Sequence, residues 1–318
     1  MNSEDARGPA LDPDAAARVA SFGVIPPMRE RGFQAVRAAL EAAPRPEMAT
    51  MADIEEVRIP GPVGDIPLRI YRPSHQRPAP VLVYYHGGGM VLGTNHSFEP
   101  LARALAQATG ASVVSVEYHL APELPAPAQF DDAYAAACWT SDHGTDIGID
   151  PERLVVIGDS AGGTLAAAVA LAARDRGGPR ISCQVLLYPG VDRDMTAESI
   201  LAMPNAPMLT VDDILYMHEL ADGPNGPVRD PYRTPAYAAD LSGLPPAIVV
   251  TGECDPIRDW GERYAQRLRD ARVQTTLTRY PGCYHGFLMR WDTTARGRLA
   301  LAEVAALLRA KLDNPLPF

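Results

Sequence analysis

The spacing of apolar residues changes character several times along this chain, and the changes mark its elements. From residue 81 onward short apolar runs alternate with longer stretches of helical period: Val81 to Tyr85, Ser112 to Val116, Leu154 to Ile157, Val185 to Tyr188 and Ala247 to Val250. Runs rich in β-branched residues with no polar alternation are what strands covered on both faces require. Their alternation with helical segments predicts βαβ units and a mostly parallel sheet. Ahead of them, Ile54, Val57 and Ile59, then Ile66, Leu68 and Ile70, predict two short strands joined by the Gly61-Pro62 turn. A last strand over Gln274 to Tyr280 precedes a closing helix over Leu299 to Leu312. The sum is an α/β chain with about eight strands and helices on both faces.

Two stretches do not fit that alternation. Residues 1–50 are rich in Ala, Pro and charge; within them Phe33, Val36 and Leu40 recur at i, i+3 and i+7, predicting a short helix that Pro44 and Pro46 bring to an end. Between Asp192 and Asp230, Leu209, Ile214, Met217 and Leu220 predict one helix among proline-rich turns. The expected division is an N-terminal cap segment (1–50), a core in two parts (51–192 and 230–318) and a cap insertion (193–229) that forms a lid with the N-terminal segment.

Charge and composition narrow the chemistry. The 318 residues carry 29 Lys and Arg against 39 Asp and Glu, a net charge of −10, which repels phosphate backbones and argues against nucleic-acid binding. The same field disfavours polyanionic substrates unless a local basic pocket overrides it. Cys138, Cys183, Cys254 and Cys283 show no metal-binding spacing and are expected to be free thiols in a reducing cytoplasm, with a Cys254–Cys283 pair as the exception to watch. The N-terminus lacks a basic start followed by an apolar run, and the longest apolar stretch, Leu165 to Ala173, is well short of a membrane span. No membrane partner is expected.

The chemistry-bearing signal is Gly158-Asp159-Ser160-Ala161-Gly162, directly after one strand and before a helix that begins near Thr164. A GxSxG pattern is weak alone and informative in this strand–turn–helix setting, where the serine Oγ projects from the carboxyl edge of the sheet. His86-Gly87-Gly88-Gly89 follows another strand, with Gly93 beyond. Successive glycines let backbone N–H groups turn towards one point, as an oxyanion hole needs, and no GK[ST] follows to suggest a phosphate loop. A serine hydroxyl needs a base, and the base an orienting acid. Asp255 and His285 each follow a late strand, in the order Ser, Asp, His. His218 falls in the lid helix, while His96, His119 and His143 read as surface or loop residues.

Together these residues closely resemble the hormone-sensitive-lipase-like esterases, a branch with the α/β-hydrolase fold. The resemblance covers nearly everything beyond residue 50: His86 to Gly93, Tyr118 to Glu123, Gly158 to Gly163, Asp230 to Tyr232, Leu241 to Pro246, Asp255 to Asp259 and His285 to Phe287. It implies a carboxylic ester hydrolase with Ser160, Asp255 and His285 catalytic, an oxyanion hole from the amides of Gly88, Gly89 and Ala161, a structural role for His86, and neither metal nor organic cofactor. Asp159 is expected to hold the glycine loop or the 118–123 segment. Pocket candidates are Met90, Val91, Leu92, Tyr188, Ile257, Phe287 and Leu288, with Met203, Met208, Leu209 and Ile214 from the lid. With them, the resemblance implies small, uncharged esters of short to medium acyl chains, and a homodimer is left open. His119, Cys254 and Trp260 depart from the family pattern. A lactone, an acetyl group on a natural product or an amide would suit the same triad. A non-catalytic small-ligand receptor on this scaffold is disfavoured because such receptors lose the histidine that His285 retains, and lyase or dehydratase chemistry in the same pocket is a further rival.

Overall fold

The computed structural model describes residues 9–314. Its N-terminal part holds α1 (Pro13–Ala20), α2 (Met28–Arg31) and α3 (Phe33–Glu41), where the apolar spacing predicted one helix. The sheet then begins with β1 (Asp53–Pro60) and β2 (Asp65–Arg72), an antiparallel pair whose register runs from Asp53 opposite Arg72 to Pro60 opposite Asp65. Six parallel strands follow with helices between them, the first four with their helices being β3 (Ala79–Tyr85), α4 (Glu99–Thr109), β4 (Ser112–Val116), α5 (Ala128–His143), β5 (Ile149–Asp159), α6 (Ala161–Arg176) and β6 (Cys183–Leu187). After β6 come α7 (Glu198–Ala202) and α8 (Val211–Asp222), then β7 (Ala247–Cys254), α9 (Arg258–Asp270), β8 (Thr275–Tyr284) and α10 (Ala295–Asp313).

The strand order is β1-β2-β4-β3-β5-β6-β7-β8, antiparallel only where β2 meets β1 and β4. Strand side chains alternate between two cores. Val81, Val83, Leu154 and Val156 pack with α5, α6 and α9 on one face; Leu82, Tyr84, Val155 and Ile157 pack with α4 and α10 on the other. Both faces are dry, so the strands tolerate apolar residues at consecutive positions. Several strand ends depart from the sequence pattern: β5 begins at Ile149, ahead of Leu154, and β7 runs past Val250 to Cys254. Tyr188 leaves the strand with φ 37°, so β6 stops at Leu187. β8 continues past Tyr280 to Tyr284, with a register shift against β7 between Gly252 and Cys254.

The N-terminal segment divides in two. α1 lies on the face carrying β8 and α10, where Ala15 joins that core. α2 and α3 instead meet α8: Met28 and Val36 pack with Val91, Leu92, Ala121 and Ala221. Asp213 ties this contact to the helix that bears it. Its Oδ2 accepts from the Thr210 amide, completing a capping box at the start of α8, while its Oδ1 accepts from the Met28 amide at 2.8 Å. Arg37 on α3 donates to the carbonyls of Val91 and Ala121, at 2.7 Å each.

Candidate active site

Ser160 stands between β5 and α6 with φ 54° and ψ −118°, a strained conformation for a residue with a Cβ. The surrounding backbone over-determines it. The Ser160 amide donates to Leu187 O at 2.8 Å, and its carbonyl accepts from Thr164 and Gly190, at 3.1 Å each. Only glycine fits at 162, because a Cβ there would lie 2.7 Å from His86 O and closer still to Tyr85 O. The turn therefore packs directly on the end of β3, where the glycine loop begins.

The three residues expected to act together, far apart along the chain, meet at this edge. His285 Nε2 lies 2.9 Å from Ser160 Oγ, and its Nδ1 lies 2.8 Å from Asp255 Oδ2. Asp255 is fully buried, and its Oδ1 accepts from the Ile257 amide at 2.9 Å, so both carboxylate oxygens are engaged. Tyr188 meets the imidazole edge-on, 5.2 Å between ring centres. The register shift in β8 and the left-handed Gly286 (φ 77°) place the histidine beside the serine.

In the glycine loop, Gly88 and Gly89 have φ of 116° and 63°. The Gly88 carbonyl turns back to accept from Val91 and Leu92, at 3.0 and 2.8 Å. Among the described residues the amides of Gly88, Gly89 and Ala161 donate to no protein acceptor. Asp159 holds the loop, as the sequence suggested: its Oδ1 accepts from the Gly87 amide at 3.0 Å and from Tyr84 Oη at 2.7 Å. Burial pushes its carboxyl up to about 6. His86 lies fully buried between the rings of Phe98 and Tyr118, with Nδ1 against Gly87 O at 2.8 Å; burial pulls it down to about 4. That environment suits a neutral supporting ring, not a base working near neutral pH.

A cleft enclosing about 800 Å³, solvent at its mouth included, opens at Ser160. Of the candidates, Met90, Leu209, Ile214 and Ile257 line it, alongside Gly89 and Ala161. The others stand elsewhere. Val91 and Leu92 are turned by the glycine loop into the contact with α2 and α3. Tyr188, Phe287 and Leu288 lie beneath the histidine in the core facing α10, and Met208 is 48% exposed. Met203 is buried outside the lining. Val91, Leu92, Phe287 and Leu288 adjoin the motifs along the chain, but the chain reverses within two or three residues at these turns. Residues the apolar pattern missed include Phe130, Trp260, Arg193 and Arg233. The position of Arg193 in the loop after β6 was the available signal, since ligands gather beyond the carboxyl ends of parallel strands.

The departures have visible partners. His119 Nδ1 lies 2.6 Å from Oδ2 of the fully buried Asp132. Trp260 Nε1 donates to Asp194 O at 2.9 Å, and its ring stacks with His218. Cys254 and Cys283 are free thiols, so the watched disulfide is not formed; Cys254 Sγ instead points at Pro9 O. Among the described residues no helix is long and apolar enough to cross a membrane.

A doubly covered parallel sheet with a strained serine turn at its carboxyl edge defines an α/β hydrolase. The family model for the alpha/beta hydrolase fold matches residues 82–289, and the chain belongs to that family. Over 286 residues it is 41% identical to the carboxylic ester hydrolase LipN of Mycobacterium tuberculosis, covering 88% of this chain and 75% of LipN. It is 40% identical to the carboxylesterase NlhH of the same organism, over 85% of this chain and 89% of that one. Among solved structures, the hyperthermophilic esterase of Pyrobaculum calidifontis superposes with a TM-score of 0.84 at 37% identity, covering 95% and 98% of the two chains.

Proposed function

We propose that the protein is a serine carboxylic ester hydrolase acting on small esters through an acyl-enzyme. The observation that carries this reading is the unbroken relay Asp255–His285–Ser160, beside backbone amides that have no protein acceptor. His285, held by Asp255, takes the serine proton as Oγ attacks the ester carbonyl. The amides of Gly88, Gly89 and Ala161 stabilise the oxyanion, each donor contributing about 3–4 kcal/mol to the transition state. The imidazolium then protonates the leaving alcohol, and water repeats the cycle to release the acid. The names of LipN, NlhH and the Pyrobaculum esterase point the same way.

In this reading α7 and α8, with α2 and α3, form the cap, and Leu209 and Ile214 give the cleft an apolar wall suited to short and medium acyl chains. Four free thiols support a cytoplasmic location. The expectation of uncharged substrates rested mainly on the family resemblance, whereas the cleft wall also carries two arginines.

The test is incubation of the folded protein with a fluorophosphonate probe followed by peptide mass mapping. A mass increment on Ser160 that His285→Ala abolishes is expected, with nitrophenyl butyrate cleaved faster than the palmitate. Failure of the intact protein to label overturns the hydrolase reading; equal or faster cleavage of the palmitate overturns the short-chain one.

A further inference from the structure

Arg193 and Arg233 reach the cleft from different parts of the chain, one from the loop after β6 and the other just after Asp230-Pro-Tyr232. Both are tied to a single carboxylate, Asp222 at the end of α8: Arg193 Nη1 lies 2.6 Å from its Oδ2 and Arg233 Nη2 lies 2.7 Å from its Oδ1. The group is withdrawn from solvent, with side-chain exposures of 21% for Arg193, 10% for Arg233 and 7% for Asp222. Two guanidiniums against one carboxylate leave one positive charge in excess. Among the described residues no Asp or Glu lines the cleft to cancel it.

Each guanidinium has five N–H donors, and among the described residues each of these side chains spends one. Tyr232 and His218 are the other titratable groups lining the cleft; burial pushes the Tyr232 hydroxyl up, and burial and Arg193 hold His218 down to about 4, so both are neutral near neutral pH. The rest of the wall is mostly apolar, with Phe130, Leu209, Ile214 and Trp260, and adds the uncharged polar side chains of Gln129, Thr164 and Tyr232. A largely buried positive charge with open planar donors, in a mostly apolar cleft shared with the reactive serine, is complementary to one carboxylate.

We propose that Arg193 and Arg233 form a carboxylate-recognition site and that the preferred substrates are monoanionic esters, in which a free carboxylate sits a short methylene chain away from the scissile ester. This deepens the ester-hydrolase reading and rests on it. A single excess charge matches a carboxylate and would leave a phosphate dianion overcharged. The chain's net charge of −10 works against such a substrate at long range, and the local cation reverses that within the cleft.

The experiment compares matched esters that differ by one charge. On the acyl side these are monoethyl adipate and ethyl hexanoate; on the alcohol side, 4-acetoxybutyrate and butyl acetate. Acid release is titrated near neutral pH at low and high NaCl. In at least one pair, kcat/KM for the anionic ester should exceed its neutral partner by about 10- to 100-fold, the range of charge-assisted hydrogen bonds. High salt should shrink that ratio, a readout that needs no variant. Arg193→Gln or Arg233→Gln should lower it about tenfold, since either change removes the excess charge while leaving Asp222 one partner. Arg193→Lys should retain more of the ratio than Arg193→Gln. Neutral esters cleaved as well as, or better than, anionic ones in both pairs would overturn the proposal and leave the esterase reading intact. So would cleavage of neither pair by protein that labels on Ser160. Absence of both cleavage and labelling would remove the esterase reading, and this inference with it.

Discussion

Asp255→Asn isolates what the buried carboxylate does for the relay. The change is nearly isosteric, in a side chain with no exposure, so packing around it should be preserved. Its effect follows from the two bonds Asp255 makes. Oδ1 accepts from the Ile257 amide at 2.9 Å, and Oδ2 faces His285 Nδ1 at 2.8 Å. A carboxylate accepts at both places; an asparagine accepts at one and donates at the other. If the amide oxygen stays with Ile257, which has a fixed backbone donor, the NH₂ group faces Nδ1 and makes it an acceptor. The ring proton then moves to Nε2, which donates towards Ser160 Oγ at 2.9 Å and can no longer take its proton. In serine-protease triads the same swap lowers kcat about 10⁴-fold, equivalent to about 5.5 kcal/mol of transition-state stabilisation. A loss of this order is expected here, measured as kcat/KM on nitrophenyl butyrate, with a melting temperature close to that of the unsubstituted protein. If a folded variant kept activity within about tenfold, the carboxylate would not be setting the tautomer, and the relay would need another account.

Two further outcomes follow from the packing. Gly162→Ala places a methyl group against Tyr85 and His86 carbonyls that cannot rotate away, and a loss of about 3 kcal/mol is expected by chemical denaturation. Activity should fall with it, because the serine turn and the glycine loop meet at that contact; a fully stable, fully active variant would contradict this packing. Asp159→Asn should alter the pH dependence of stability. With Asp159 raised to about 6, stability from its protonated form is complete below its ordinary value near 3.8 and lost as pH rises through about 6. A rise from about 3.8 to about 6 corresponds to about 3 kcal/mol, so the variant should gain roughly that much on the parent protein between pH ~4 and ~7, and parallel unfolding curves would refute it.

Much of this molecule was legible in one dimension because its signals are local. Consecutive apolar β-branched residues report strands covered on both faces, as the opposed cores of Leu82 and Val83 show. A serine flanked by glycines between strand and helix reports a strained turn, and Asp255 and His285 were recognisable by following strands whose carboxyl ends share one edge. Tertiary structure decided whatever depends on which way a side chain points after the chain reverses. Val91 and Leu92 adjoin the glycine loop yet pack under α2 and α3, and Phe287 and Leu288 follow His285 yet face the opposite core. The arginine pair was unreadable for a related reason. Nothing in the spacing of residues 193, 222 and 233 shows two positive charges sharing one carboxylate in an apolar cleft, because charge balance belongs to neighbours in space, and those are fixed only when α8 docks.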